Sequence, residues 1–156
     1  EIGLAMRSHS PVTVAYIDVD HFKQINDKFG HENGDSVLVE LAHVLKNACR
    51  DTDILGRYGG EEFCGIFPGT DEAKLDNLGE RLLQAVRAHK FKAGVEVTIS
   101  IGFTVLRSPD VRRSWSSLMH DADAALFHAK ECGRDQFRIW NDTGQTSRRH
   151  QHGNSL

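Results

Sequence analysis

The stretch Arg57-Tyr58-Gly59-Gly60-Glu61-Glu62-Phe63 sets two adjacent carboxylates directly after two glycines. Glycine permits a tight reversal that side chains forbid, and the apolar run Phe63-Cys64-Gly65-Ile66-Phe67 reads as the return strand of a hairpin. Negative charge is thereby concentrated at one tip. Like charges ~4 Å apart repel by about 4 kcal/mol at an effective dielectric of about 20, so the tip asks for an offsetting cation unless each carboxylate simply faces water. A second acidic point, Asp18-Val19-Asp20, closes the apolar run Val12-Thr13-Val14-Ala15-Tyr16-Ile17. Lys23, Asn26 and Asp27 follow on what reads as a short helix over 22–29, stopped by Gly30. Polar groups gathered where a strand ends and a helix begins commonly form a ligand crevice.

The elements that must hold these points alternate between strand and helix. Residues 12–20 are rich in β-branched side chains and nearly continuously apolar, which suits a central strand covered on both faces. Asp35 reads as the cap of a helix whose stripe is Val37, Leu38, Leu41, Val44, Leu45 and Ala48. The polar link Arg50-Asp51-Thr52-Asp53 leads into the hairpin, and residues 71–89 repeat the helical period through Leu75, Leu78, Leu82 and Val86. Residues 95–105 alternate as a strand with one face packed and the other polar or covered by a different layer. Trp115, Leu118, Met119, Ala122, Leu126 and Ala129 mark a last long helix ended by Gly133, and Gln136-Phe137-Arg138-Ile139-Trp140 a final strand. Residues 141–156 are polar without period and read as a mobile tail behind one domain over 1–140. Such alternation gives an α/β or α+β class, a sheet covered by helices.

Composition narrows the function classes. A chain of 156 residues, 39% hydrophobic, suits one domain with a real core. The formal charge of −3 argues against a protein built to coat nucleic acid. No apolar run approaches the ~20 residues of a membrane span, and the expected location is the cytoplasm. The 3 cysteines, Cys49, Cys64 and Cys132, lack C-x-x-C spacing and read as free buried thiols. His120, Asp121, Asp123 and His128 interleave with the apolar stripe of the last helix, so capping and surface exposure are the better reading than a metal site.

Each polar point alone reads as a cap, a turn or a solvated charge; jointly they resemble the GGDEF domains of diguanylate cyclases, over residues 12–140. The matching stretches, in order, are Asp18-Val19-Asp20-His21-Phe22-Lys23-Gln24-Ile25-Asn26-Asp27, Phe29-Gly30-His31-Glu32-Asn33-Gly34-Asp35, Arg57-Tyr58-Gly59-Gly60-Glu61-Glu62-Phe63, Val97-Thr98-Ile99-Ser100-Ile101-Gly102, and Ala122-Asp123-Ala124-Ala125-Leu126 with Ala129-Lys130-Glu131-Cys132-Gly133-Arg134. Glu61 stands where the family name has Asp, which keeps the carboxylate.

The resemblance implies a central, mostly antiparallel five-stranded sheet wrapped by helices, an α+β fold with a ferredoxin-like core like that of nucleotidyl cyclases and polymerase palms. It implies that two GTP molecules are joined into cyclic di-GMP across a homodimer, each 3′-hydroxyl attacking the other nucleotide's α-phosphate and expelling pyrophosphate. Asp18, Glu61 and the carbonyl of Val19 would hold Mg²⁺, with Mn²⁺ as a substitute. Glu62 would be a second metal ligand or a helper in deprotonation, and Glu61 the usual proton acceptor. Lys23 would act in catalysis by neutralising charge growing on the phosphates, and Lys130 and Arg134 would grip the outer phosphates; Phe22 would bind substrate, and Asn26, His31 and Asp35 would form the guanine pocket, with Asn26 and Asp35 reading its edge. Gly59 and Gly60 would make the signature turn. Arg50 and Asp53 match an inhibitory R-x-x-D that binds product, with Arg81 completing it.

Such domains generally sit behind a sensory or dimerising module, and the family's usual opening segment is expected ahead of residues 1–10, which would form only the end of the opening helix. The competing expectation is a binding module that senses GTP or cyclic di-GMP without turnover; intact Asp18, Lys23, Asn26, Asp35, Glu61 and Glu62 argue for the enzyme.

Overall fold

A computed structural model describes residues 10–107, 113–141 and 146–147. The chain runs β1 (Val12–Val19), α1 (Phe22–Phe29), α2 (His31–Ala48), β2 (Ile54–Gly59), β3 (Glu62–Pro68), α3 (Glu72–Ala88), β4 (Ile99–Leu106), α4 (Trp115–Glu131), β5 (Phe137–Trp140) and β6 (Thr146–Ser147). The strands form one sheet in the order β2-β3-β1-β4-β5-β6, antiparallel except for the parallel β4 and β5 pair. β1 is central and buried along its whole length.

Strand parity sorts the core. Ala15, Ile17 and Val19 face a large cluster with α1, α2 and α3, including Phe22, Leu41, Leu45, Leu75 and Leu82. Val12, Val14 and Tyr16 face the other side, packing with Leu118, Met119, Ala122 and Leu126 of α4. Each large side chain so buried contributes about 1.5–3 kcal/mol. The same parity puts Asp18, next in the Val12, Val14, Tyr16 series, at the α4 side of the sheet.

Several boundaries differ from the sequence expectation. Asp35 does not cap α2: the helix begins at His31, its N-cap is Gly30 at φ 86°, and Asp35 lies exposed within it. The left-handed Gly30 closes α1 and starts α2 with no intervening loop. β4 begins at Ile99, four residues after the alternation starts, and both its faces are covered. The sheet has six strands among the described residues because Thr146–Ser147 pairs with β5, inside the segment expected to be a mobile tail. Residues 1–9, where the end of the opening helix was expected, and most of 142–156 lie outside the described residues. The cysteines are free, but Cys49 and Cys64 are only half-buried and Cys132 is exposed. Burial still pushes the Cys49 and Cys64 thiols up from their ordinary range.

Candidate active site

The hairpin of β2 and β3 turns through Gly60 and Glu61, with Gly59 opposite Glu62 and Gly60 at φ 50°. Arg57 braces it by donating Nε to the Gly60 carbonyl at 2.8 Å. The tip is tied to the end of β1, because the Val19 amide donates to the Glu61 carbonyl at 3.3 Å. β3 pairs with β1 in a register that sets Glu62 directly across from Asp18. Acidic residues of the first strand and of the glycine turn therefore share one end of the sheet.

From α4, which covers this face of the sheet, Lys130 near the helix end forms an ion pair with the Asp18 Oδ2. Asp18 Oδ1 is buried and accepts no hydrogen bond. Burial raises the Asp18 pKa above the ordinary aspartate value, and Glu61 and Glu62 add to the rise while Lys130 opposes it. Among the described residues no three His, Cys, Asp or Glu side chains close on one point. Still, the donor set of Asp18, Glu61 and Glu62 is all hard oxygen, and one of those oxygens is buried without a partner, so the residues fit a hard divalent cation better than any N- or S-liganded metal.

Asp20, the second carboxylate of the strand end, is fully committed. Its Oδ1 accepts from Ser100 Oγ at 2.6 Å and its Oδ2 from Thr98 Oγ1 at 2.7 Å and from the Asp135 amide at 3.0 Å. It fastens β1 to β4 and to the turn after α4, where Arg134 sits at φ 62°. That bracing role had no separate signal in the sequence. Nor does the sequence single out Tyr16, which stands in an apolar run that reads as strand core. Its hydroxyl donates to Glu62 Oε2 at 2.9 Å, and burial first, then Glu62, pushes the phenol well above its ordinary pKa.

The other expected residues fall in two places. Phe22 is buried and Asn26 half-buried on α1, both leaning over Gly34 of α2, and Asp35, the next residue of α2, is exposed. Asn26 Oδ1 is a buried acceptor with no partner. Lys23 and His31 are exposed on the outer surfaces of the same two helices. Away from this end, Arg50, Asp53 and Arg81 line one small recess of ≈ 70 Å³ together with Thr70, Lys74 and Asn77. Buried Asp53 accepts from the Arg50 amide at 2.7 Å, and Arg81 Nε donates to the Ala48 carbonyl at 2.8 Å. Among the remaining candidates, Asp121 pairs with Arg113, and His120, Asp123 and His128 are exposed on α4.

A family model for the diguanylate cyclase GGDEF domain matches residues 1–136. The chain belongs to the GGDEF domain family. As a GGDEF domain it is 35% identical over 145 residues to the diguanylate cyclase DosC of Escherichia coli, covering 90% of this chain and 31% of that protein. The chain thus spans about a third of the length of that curated relative. Among solved structures, the active GGEEF domain of a diguanylate cyclase from Vibrio cholerae matches with a TM-score of 0.81 at 31% identity, covering 90% of each chain. The GGDEF domain of DgcB from Caulobacter crescentus, solved in complex with c-di-GMP, matches with a TM-score of 0.77 at 31% identity, covering 89% of this chain and 82% of that one. Among the described residues no helix is long and apolar enough to cross a membrane.

Proposed function

We propose that this GGDEF domain is a diguanylate cyclase that condenses two GTP into cyclic di-GMP and two pyrophosphates. The observation that carries the reading is the facing of Asp18 and Glu62 in the β1–β3 register, with Glu61 on the adjoining turn and Lys130 arriving from α4. Asp18, Glu61 and Glu62, with the Val19 carbonyl, would hold Mg²⁺ or Mn²⁺. Such an ion, when bound, polarises the phosphoryl oxygens and offsets the charge that grows there.

The chain's own groups supply the rest. Lys130, released from Asp18 as phosphate arrives, carries its charge to the outer phosphates with Arg134, while exposed Lys23 offsets charge from the α1 side. Asn26 Oδ1 and the Asp35 carboxylate are both acceptors, and guanine offers N1 and N2 hydrogens to that pair where adenine presents an acceptor at N1. Phe22 and His31 complete the pocket. Glu61 or Glu62 takes the 3′-hydroxyl proton. Because each hydroxyl attacks the other nucleotide, two copies of the domain must meet, and an upstream sensory or dimerising module is the partner that would bring them together in the cytoplasm.

The recess of Arg50, Asp53 and Arg81 supports a product site, since guanidinium groups on one concavity suit the phosphodiesters of a cyclic dinucleotide. The deciding experiment incubates the protein with GTP and Mg²⁺ and resolves the nucleotides by chromatography. Cyclic di-GMP that appears with the parent and is lost in Glu61→Ala supports the cyclase, whereas binding of cyclic di-GMP with no turnover by the parent rejects it.

A further inference from the structure

Tyr16 follows Val12 and Val14 on the α4 face of β1 and is the polar member of that buried series. It lies in the middle of β1, opposite Cys64, and belongs to the buried cluster that includes Val14, Leu118 and Ala122. It is 9% exposed. A hydroxyl buried there without a partner would cost about 1–3 kcal/mol, so its one hydrogen bond accounts for its presence. That bond goes to Glu62 Oε2 at 2.9 Å.

The neighbouring hairpin strand is built around the same ring. The register of β2 against β3 shifts between Arg57 and Gly59, which leaves Tyr58 as the extra, unpaired residue of a bulge. Bulges of this kind re-aim a side chain. Here the Tyr58 ring meets the Tyr16 ring edge-on, with centroids 5.4 Å apart and an interplanar angle of 60°. Glu62 is thus approached from β1 by a donor whose own position is set by core packing on one side and by an aromatic contact on the other. A flexible carboxylate at a sheet end acquires a fixed orientation, with one oxygen occupied and the other free to act.

We propose that Tyr16 is a positioning residue for the reaction: its hydroxyl holds Glu62 Oε2, so that the Glu62 carboxylate is presented in one orientation beside Asp18. This rests on the cyclase reading of the site. Groups that orient a functional carboxylate commonly matter by about tenfold when removed, although they touch no substrate.

The test is Tyr16→Phe, which keeps the ring and removes only the oxygen, with thermal melting to confirm the fold. Three readouts apply. GTP kinetics should show kcat lowered about tenfold with KM changed by less than about twofold. Titration of Mn²⁺ in the presence of 3′-deoxy-GTP, followed by electron paramagnetic resonance, should show a half-saturating Mn²⁺ concentration raised about tenfold. Because the chain has 2 tyrosines, Tyr58→Phe leaves Tyr16 as the sole phenol, and its resonance Raman doublet should carry the signature of a hydrogen-bond donor. A Tyr16→Phe protein with the parent's kcat and the parent's Mn²⁺ requirement overturns the proposal, as does a phenol without the donor signature. If the parent itself does not turn over GTP, the cyclase reading falls separately, and the Mn²⁺ titration and the Raman doublet still decide the role of Tyr16: equal Mn²⁺ binding by both proteins overturns it.

Discussion

Substituting Gly34 by alanine separates recognition from folding at a single methyl group. A Cβ at Gly34 would lie 1.8 Å from Asn26 Oδ1, 2.9 Å from Asn26 Cγ and 3.3 Å from Phe22 Cζ. Ordinary contact needs about 3.5 Å, so the Asn26 amide must retreat by more than an ångström. The clash falls on the far end of a flexible side chain, which can rotate away, and alanine within α2 regains roughly 0.5–1 kcal/mol of helical preference over glycine. Stability should therefore change by no more than about 1 kcal/mol. Recognition has no such escape. If Asn26 Oδ1 accepts from guanine inside the crevice, moving it removes one buried hydrogen bond worth about 1–3 kcal/mol, or roughly 5- to 150-fold in kcat/KM for GTP. ATP makes no use of that acceptor, so its residual turnover should hardly change and the preference for GTP should fall. The assay is kcat/KM for both nucleotides beside a melting curve. A Gly34→Ala protein that melts like the parent and keeps the parent's GTP-over-ATP ratio refutes the base-reading role of Asn26.

Gly102→Ala should act in the opposite sense, on the fold first. Its Cβ would meet the Ala122 carbonyl at 2.0 Å and the Leu126 amide at 2.3 Å, backbone atoms of α4 that cannot rotate away. Lifting the helix should cost about 1–3 kcal/mol or more and carry Lys130 from Asp18; an unshifted denaturant midpoint would contradict this packing. The Glu40 carboxylate receives His89 Nε2 at 2.9 Å and the Lys92 amide at 3.3 Å, and the hydrogen bond to His89 chiefly holds its pKa below the ordinary value of 4.5. A depressed carboxylate stabilises the fold fully above its unfolded pKa and loses that contribution as pH falls through the folded one. The parent should accordingly be more stable than Glu40→Gln at pH 7, with the gap in denaturant midpoints closing in acid; a gap independent of pH would reject the pairing. Arg50→Ala should raise the cyclic di-GMP concentration for half-inhibition by at least about tenfold, as expected for a lost charge-assisted contact, and equal inhibition of both proteins would remove the regulatory reading of the recess.

The sequence carried the site further than it carried the boundaries. Asp18 at the end of an apolar run and Glu61-Glu62 after a double glycine are local signals, and the register that brings them together follows from a hairpin strand pairing with its neighbour. The start of α2 is illegible for a physical reason: His31, Glu32, Asn33 and Asp35 are exposed in the first turns around the buried Gly34, and polar residues about a glycine read as loop. The opening of β4 is not legible because residues 95–98 alternate like a strand but lie outside its ladder, meeting the end of β1 through the Asp20 amide and the Thr98 carbonyl instead. β6 has no apolar pattern to announce it. Contacts between residues far apart in the chain were equally silent, Lys130 to Asp18 and Tyr16 to Glu62 above all.

Asp18 shows why the site looks built for chemistry rather than for stability. Folding draws this carboxylate out of water, leaves Oδ1 without a donor and faces it with Glu61 and Glu62; Lys130 opposes the resulting penalty but does not cancel it, since the pKa remains raised. A group whose folded pKa lies above its unfolded value weakens the fold as pH rises through the carboxylate range, so at neutral pH the ionised Asp18 is a liability that asparagine would lessen. Asp20, two residues on, is the counterexample: it is as buried, yet Ser100, Thr98 and the Asp135 amide satisfy both its oxygens, and it braces the scaffold. The same strand end thus carries one carboxylate that the fold needs and one that it tolerates. Asp18→Asn should therefore raise the melting temperature of the free protein at pH 7 and abolish cyclic di-GMP formation in the same preparation. A variant that loses activity and stability together would place Asp18 with Asp20, among the braces.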